Sequence, residues 1–184
     1  AGLSVQDIVL EQLASSESVL SSDERELGVA MIDIGGGTSD LAIFYQEAIK
    51  HTYVLTIAGA QMTNDIAIGL RTPNQEAEKI KHAYGCAVSA LVAEDETIEV
   101  SSVGGREARA VSRQILSEIL EARAKEMFEM LNHEINVSGF RDIVSSGVVL
   151  TGGASSLPGM GELAEEIFQL PVRVGGPAHL GGLV

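Results

Sequence analysis

The sequence predicts an α/β fold in which a lobe of strands alternating with helices is interrupted by a smaller α+β insertion. Three observations carry this. Short apolar runs bounded by glycine read as buried strands, and segments with apolar residues at helical spacing lie between them. Two of those strands, ending at Ile34 and Leu150, run directly into glycine turns. Between them the pattern changes to two helices around a short strand pair. Residues 1–71 and 145–184 are therefore assigned to the lobe, and 72–144 to the insertion.

Taken in order, residues 4–20 carry Val5, Ile8, Val9 and Leu13 at helical spacing, with Ser4 placed to cap the first turn. Residues 21–26 are polar and read as an exposed connection. Residues 27–34 form a buried strand, 41–44 a second and 51–57 a third, which makes a meander with a tight turn at Gly35-Gly36-Gly37. A short helix over 59–70 stops at Pro73, which cannot continue its ladder but suits the first turn of the next helix, 74–84, closed by Gly85. Strands over 87–92 and 97–101 are expected to pair across Glu94-Asp95-Glu96. The longest helix follows over 107–135, with Leu116, Leu120, Met127 and Leu131 on one stripe. A strand at 148–150, a second glycine turn, a helix over 159–169 and a strand at 172–174 complete the pattern.

Composition narrows the function classes. The chain has 184 residues, 45% of them hydrophobic, enough for a proper core. Twelve Lys+Arg stand against 26 Asp+Glu, and a net charge of −14 argues against nucleic acid as a partner. No apolar run approaches the roughly 18 residues a bilayer span needs. Cys86 is alone, so no disulfide framework exists within the chain, and the cytoplasm is the expected address. The chain opens on Ala1 and ends at Val184 in mid-pattern, and is read as a piece of a larger protein.

The glycine turns carry the chemistry. Three consecutive glycines cost conformational entropy unless the backbone needs positive φ or a ligand comes close. Asp33 precedes them from a buried strand, where a carboxylate needs a partner such as a metal-bound water or backbone donors. Gly36, Gly37 and Thr38 offer amides and a hydroxyl to a phosphate in the nest geometry that binds anions. Thr151-Gly152-Gly153-Ala154-Ser155 repeats the logic after Val148-Val149-Leu150. Two such turns at the ends of buried strands point to a ligand beyond the carboxyl ends of the sheet.

Asp33-x-Gly35-Gly36-Gly37-Thr38-x-Asp40 resembles the second phosphate motif of the actin/Hsp70/hexokinase-type ATPases, which share a ribonuclease H-like lobe. The run from Val149 through Thr151-Gly152-Gly153-Ala154-Ser155 resembles their adenosine motif. Glu78-x-x-Lys81 is similar to the adenosine-side pair of the bacterial actins, and Gly59 is counted in the same set. Glu11-Gln12-Leu13-Ala14-Ser15 resembles the connecting segment in which a carboxylate orients the attacking water, with Gln12 where the superfamily usually has Pro. The strings 8–11, 23–29 and Val103-Gly104-Gly105-Arg106 narrow the resemblance to the FtsA family, the bacterial actin-like cell-division proteins. It covers only the second half of FtsA: the lobe as subdomain 2A, the insertion as 2B.

The resemblance implies ATP and Mg²⁺ as cofactors. Asp33 would hold Mg²⁺ through water. Gly35, Gly36, Gly37, Thr38 and Asp40 would surround the phosphates, and Gly152, Gly153, Ala154 and Ser155 the adenosine. Glu11 is the catalytic candidate. The intact protein would be at most a slow ATPase, and this half alone is expected to be inactive. It further implies self-association into filaments, contacts with other divisome proteins through the absent half, and a membrane-targeting helix outside this chain. The location would be cytoplasmic, peripheral on the inner face of the cell membrane.

Five of the twelve basic residues fall within positions 106–125, a window of net charge +2 while the remainder carries −16. An intrahelical set of ion pairs explains such a window, as does a docking surface for carboxylates. In the FtsA family the FtsZ C-terminal tail peptide, a short acidic amphipathic helix, docks on 2B. That resemblance links Arg109 and Arg123 to the contact and to control of self-association; Arg113 and Lys125 of the same window are counted with them, and Met127, read as core or groove lining, is included in the partner set. The four histidines lack ligand spacing, and no P-loop or nucleophile elbow occurs. Two alternatives stay open, a kinase of the same superfold and a pilus-assembly actin homologue.

Overall fold

The computed structural model describes residues 2, 4–101 and 107–177. Its centre is a five-stranded sheet in the order β3-β2-β1-β6-β7. Strands β1 (Val29–Ile34), β2 (Ser39–Tyr45) and β3 (Ala48–Leu55) form an antiparallel meander, while β1, β6 (Val148–Thr151) and β7 (Val172–Val174) run parallel. The turn between β2 and β3 places Gln46 and Glu47 at φ of 52° and 55°, which matches the twist of a tight hairpin.

Strand β1 is apolar at nearly every position because both faces of the sheet are covered. Ala30, Ile32 and Ile34 enter the larger core with residues of α3 (Gly59–Gly69), α5 (Arg113–Val137) and α6 (Met160–Phe168). Val29 and Met31 face the other way, with Ala42, Phe44 and Val149, against Val19 and Leu20 at the end of α1 (Glu11–Val19). Alternation therefore puts Asp33 on the α1 side of the sheet. Phe128 of α5 meets Phe168 of α6 edge to face at 5.6 Å between ring centres, within the larger core.

Helix α4 (Asn74–Tyr84) falls where the sequence places it, and β7 spans the expected 172–174. Four elements differ. Helix α1 begins at Glu11 rather than near residue 4, and Val5, Ile8 and Val9 are exposed. Apolar spacing alone does not nucleate a helix when no facing surface buries its stripe. Residues 22–27 are helical, as α2 (Ser22–Leu27), not a connection. Ser21 and Glu24 form a reciprocal capping box there, a pattern readable in Ser-x-x-Glu.

The third difference lies at residues 87–92, which form a short 3-10 turn at Ser89–Leu91 and no strand. The Ala87 amide donates to Pro158 O at 2.7 Å and the Ser89 amide to Glu121 at 2.6 Å, so this backbone is spent on other segments. Strand β4 (Thr97–Val100) pairs instead with β5 (Arg109–Ser112), bringing Ile98 opposite Val111. Fourth, α5 accordingly starts at Arg113, where the Ser112 hydroxyl caps the Gln114 amide. The string Val103-Gly104-Gly105-Arg106 lies outside the described residues.

Candidate functional site

Strands β1 and β6 lie side by side with Asp33 opposite Thr151, so both glycine turns leave the same edge of the sheet. Gly152 has φ of 86°, and a Cβ there would collide with the Asp33 carboxylate and sit 2.7 Å from Ile34 N. The two turns thus touch through backbone that only glycine allows. Gly36, Gly37 and Gly153 are different. None has positive φ, and a Cβ on any of them would meet nothing within 4 Å. Neither conformation nor packing accounts for glycine at these three positions, and the backbone there is open to close approach.

Gly35, Gly36, Gly59, Ala60, Glu78, Lys81, His82, Gly153 and Ala154 line one cleft of about 410 Å³. A narrower cavity of about 60 Å³ adjoins it over Lys81, His82, Gly153 and Ala154 and continues along Ser156, Leu157 and Pro158. The first turn of α3 closes the floor. Gly59 N donates to Gly35 O at 3.0 Å and Ala60 N to Gly36 O at 2.7 Å, tying the helix to the triglycine turn.

Lys81 is buried, and its ammonium is fully used: Gly59 O at 2.9 Å, Thr63 Oγ1 at 2.7 Å and Glu78 Oε2 at 2.9 Å. Thr63 also donates to Glu78, and His82 Nε2 lies 2.9 Å from Glu78 Oε1. Partial burial pushes the Glu78 carboxyl up, but the contacts from Thr63, Lys81 and His82 outweigh it and hold the group below its ordinary value.

Asp33 and Asp40 face α1 rather than lining that cleft. Ser15 Oγ donates to Asp33 Oδ2 at 2.6 Å, and Gln12 Nε2 to the buried Asp40 at 2.9 Å. Glu11 opens α1, exposed, one turn before Ser15 on the same face. Ser155 is buried and donates to Gly152 O at 2.7 Å, bracing the second turn from within. Among the described residues no group of three or more His, Cys, Asp or Glu could hold a metal. A lone carboxylate is nevertheless compatible with Mg²⁺, which keeps several waters and takes its other ligands from phosphate. Thr63 and His82, which hold Glu78, are not assigned to this region from the sequence, and Gln12 and Ser15 are read there only as part of the connecting segment.

The basic residues are scattered. Arg109 Nη2 donates to Leu70 O at 2.7 Å, at the end of α3. Arg113 binds Tyr84 O at 2.9 Å and pairs with Glu96. Lys125 is exposed and adds to the lowered pKa of Glu121, which the Ser89 backbone amide mainly causes. Arg123 pairs with Asp65 and Glu126, and with Ile119 and Ala122 these line a groove of about 290 Å³ between α3 and α5. Met127 does not line it: its side chain is wholly buried, with Sδ 3.2 Å from the Ser39 hydroxyl. Its place on the Leu116, Leu120, Leu131 stripe turns it inward, so its assignment to a partner surface is corrected.

A lobe of this topology, with paired glycine turns at the carboxyl edge of its parallel strands, defines the actin-like ATPase fold. MreB5 of Spiroplasma citri bound to AMPPNP superposes with a TM-score of 0.69 at 21% identity, over 84% of this chain and 50% of that one. A chain of a PilM–PilN type IV pilus biogenesis complex gives 0.59 at 17% identity, over 83% of this chain and 37% of the other. Both show the fold alone.

The family model described as Cell division protein FtsA matches residues 30–183, and the chain belongs to that family. It is 56% identical to the FtsA of Pseudomonas aeruginosa, over 99% of this chain and 44% of the relative. To the FtsA of Escherichia coli K12 it is 43% identical, over 99% and 45%. To that of Bacillus subtilis it is 40% identical, over 98% and 41%. The chain thus spans less than half the length of these relatives. Among the described residues no helix is long and apolar enough to cross a membrane.

Proposed function

We propose that this chain is the ATP-facing and FtsZ-binding half of an actin-like scaffold that tethers FtsZ filaments beneath the cytoplasmic membrane. The observation that carries the nucleotide part is that Gly36 and Gly153, one from each glycine turn, line one cleft with no conformational or packing reason to be glycine. Gly36, Gly37 and Thr38 would hold the β- and γ-phosphates, and Gly152 to Ser155 with Glu78 and Lys81 the adenosine. Mg²⁺ bound with ATP supplies positive charge against the triphosphate. Asp33 would orient its water shell, with the Ser15 hydroxyl fixing the carboxylate, and Glu11 would position water for slow hydrolysis.

In this reading residues 1–71 and 145–184 are subdomain 2A and residues 72–144 are 2B. The groove between α3 and α5 takes the FtsZ tail peptide, with Arg123 meeting an acidic side chain and Ile119 and Ala122 an apolar one. Nucleotide would close this half on the other, favouring filaments. The half absent here would contact other divisome proteins, and the membrane would be reached through a helix outside this chain.

Calorimetric titration of ATP with Mg²⁺ into a full-length protein containing this chain tests the cleft. Gly36→Ala should leave the urea midpoint unchanged and weaken ATP at least about tenfold, since only a ligand meets the added methyl. Equal affinity in the two proteins would overturn the reading. For the groove, the FtsZ tail peptide should bind the chain, and Arg123→Glu should abolish binding.

A further inference from the structure

The groove between α3 and α5 already holds an acidic occupant. Arg123 Nε donates to Asp65 Oδ2 at 2.6 Å and Nη2 to Asp65 Oδ1 at 3.1 Å, while Nη1 donates to Glu126. The Asp65 contact is bidentate, the fork geometry that an incoming carboxylate would itself seek. Asp65 sits on α3 and Arg123 on α5, 58 positions apart in sequence, so helix packing brings them together. The helices are close here: a Cβ on Gly69 would lie 2.7 Å from Ile119 Cδ1.

We propose that Asp65 is an internal competitor for the partner's carboxylate, a latch that sets the affinity of this groove for an acidic peptide. The proposal rests on the reading of the groove as the acidic-peptide dock. Three of the five guanidinium N–H groups are engaged within the chain, leaving two for a ligand. Two carboxylates around one guanidinium also give the mouth a net negative charge, which repels an acidic ligand until Asp65 is displaced.

Displacement is feasible because the Asp65 side chain is 23% exposed and can return to water. The ligand then gains only the difference between two similar ion pairs. Charge alone cannot win that exchange, so a peptide must also offer an apolar surface to Ile119 and Ala122. The latch thereby selects amphipathic acidic segments over merely acidic ones.

The test titrates a synthetic FtsZ tail peptide into the wild-type chain, Asp65→Asn and Arg123→Glu at low salt, with amide spectra confirming each fold. Asp65→Ser is read in parallel, so a folding defect in one variant does not remove the test. Freeing Arg123 should tighten binding about two- to fivefold, the scale of a part-exposed ion pair, and Arg123→Glu should abolish it. Unchanged or weaker binding by both Asp65 variants, with Arg123→Glu still inactive, would overturn the latch while leaving the groove intact. No binding by the folded wild-type chain would overturn the groove reading and the latch together.

Discussion

Gly152 stands against Asp33, close enough that no side chain fits between the second glycine turn and the carboxylate at the end of the first strand. The contact follows from the parallel pairing of β1 with β6, which sets Asp33 opposite Thr151. It joins two turns separated by most of the chain into one edge, from which a single cleft opens.

Gly152→Ala should therefore damage the lobe severely for so small a substitution. It imposes φ of 86° on a residue with a Cβ and drives that Cβ into Asp33 and the Ile34 backbone. A loss of at least about 3 kcal/mol is expected, strain and collision acting together. Urea unfolding of the variant would show it as a lower midpoint at unchanged slope. A loss below about 1 kcal/mol would mean that the strand ends move apart easily.

Lys81→Met tests the tie between α3 and α4. It removes the donor shared by Gly59 O, Thr63 and Glu78. Glu78 is 44% exposed and can rehydrate, so the expected cost is moderate, about 2 kcal/mol. Lys79→Met, on the exposed side of the same helix, should change stability by less than about 0.5 kcal/mol. Thermal melts of the two variants side by side read the difference.

Acid should destabilise the chain through three carboxylates. The Arg173 hydrogen bond holds Glu24 below its ordinary value, and the Ser89 amide does the same for Glu121. For Glu78, burial acts upward but the Thr63, Lys81 and His82 contacts prevail. A group depressed in the folded state contributes stability that is present above its unfolded pKa and lost as pH falls through the folded one. Stability should then hold above the ordinary carboxylate value of 4.5 and fall below it. Arg173→Gln should make that acid limb shallower. Because the sequence pI is about 4.6, unfolding is best followed at low protein concentration in urea, where precipitation does not intervene. An acid limb identical in the variant would remove Glu24 from the account.

Much of the fold was legible in the sequence because burial writes its period into the chain. The strand that ends at Ile34, the helix at 74–84 and the strand at 172–174 follow from apolar runs and their glycine and proline boundaries. The motifs around the two glycine turns were legible for the same local reason. The helix expected from residue 4 failed because Val5, Ile8 and Val9 have the spacing of a buried stripe but stay exposed. Residues 87–92 failed because their amides are claimed by Pro158 and Glu121, partners far along the chain.

By itself the sequence determined the strands that lead into the glycine turns, the turns themselves, the helix at 74–84 and the family, since each is written in residues close together. Within the two glycine turns, tertiary structure alone decided which glycine the backbone demands, at 152, and which stand open, at 36, 37 and 153. It also turned Met127 inward and set Arg123 against Asp65. A side chain's partner depends on where helices cross and how strands register. Those are properties of the packed core as a whole, to which no short stretch of sequence has access.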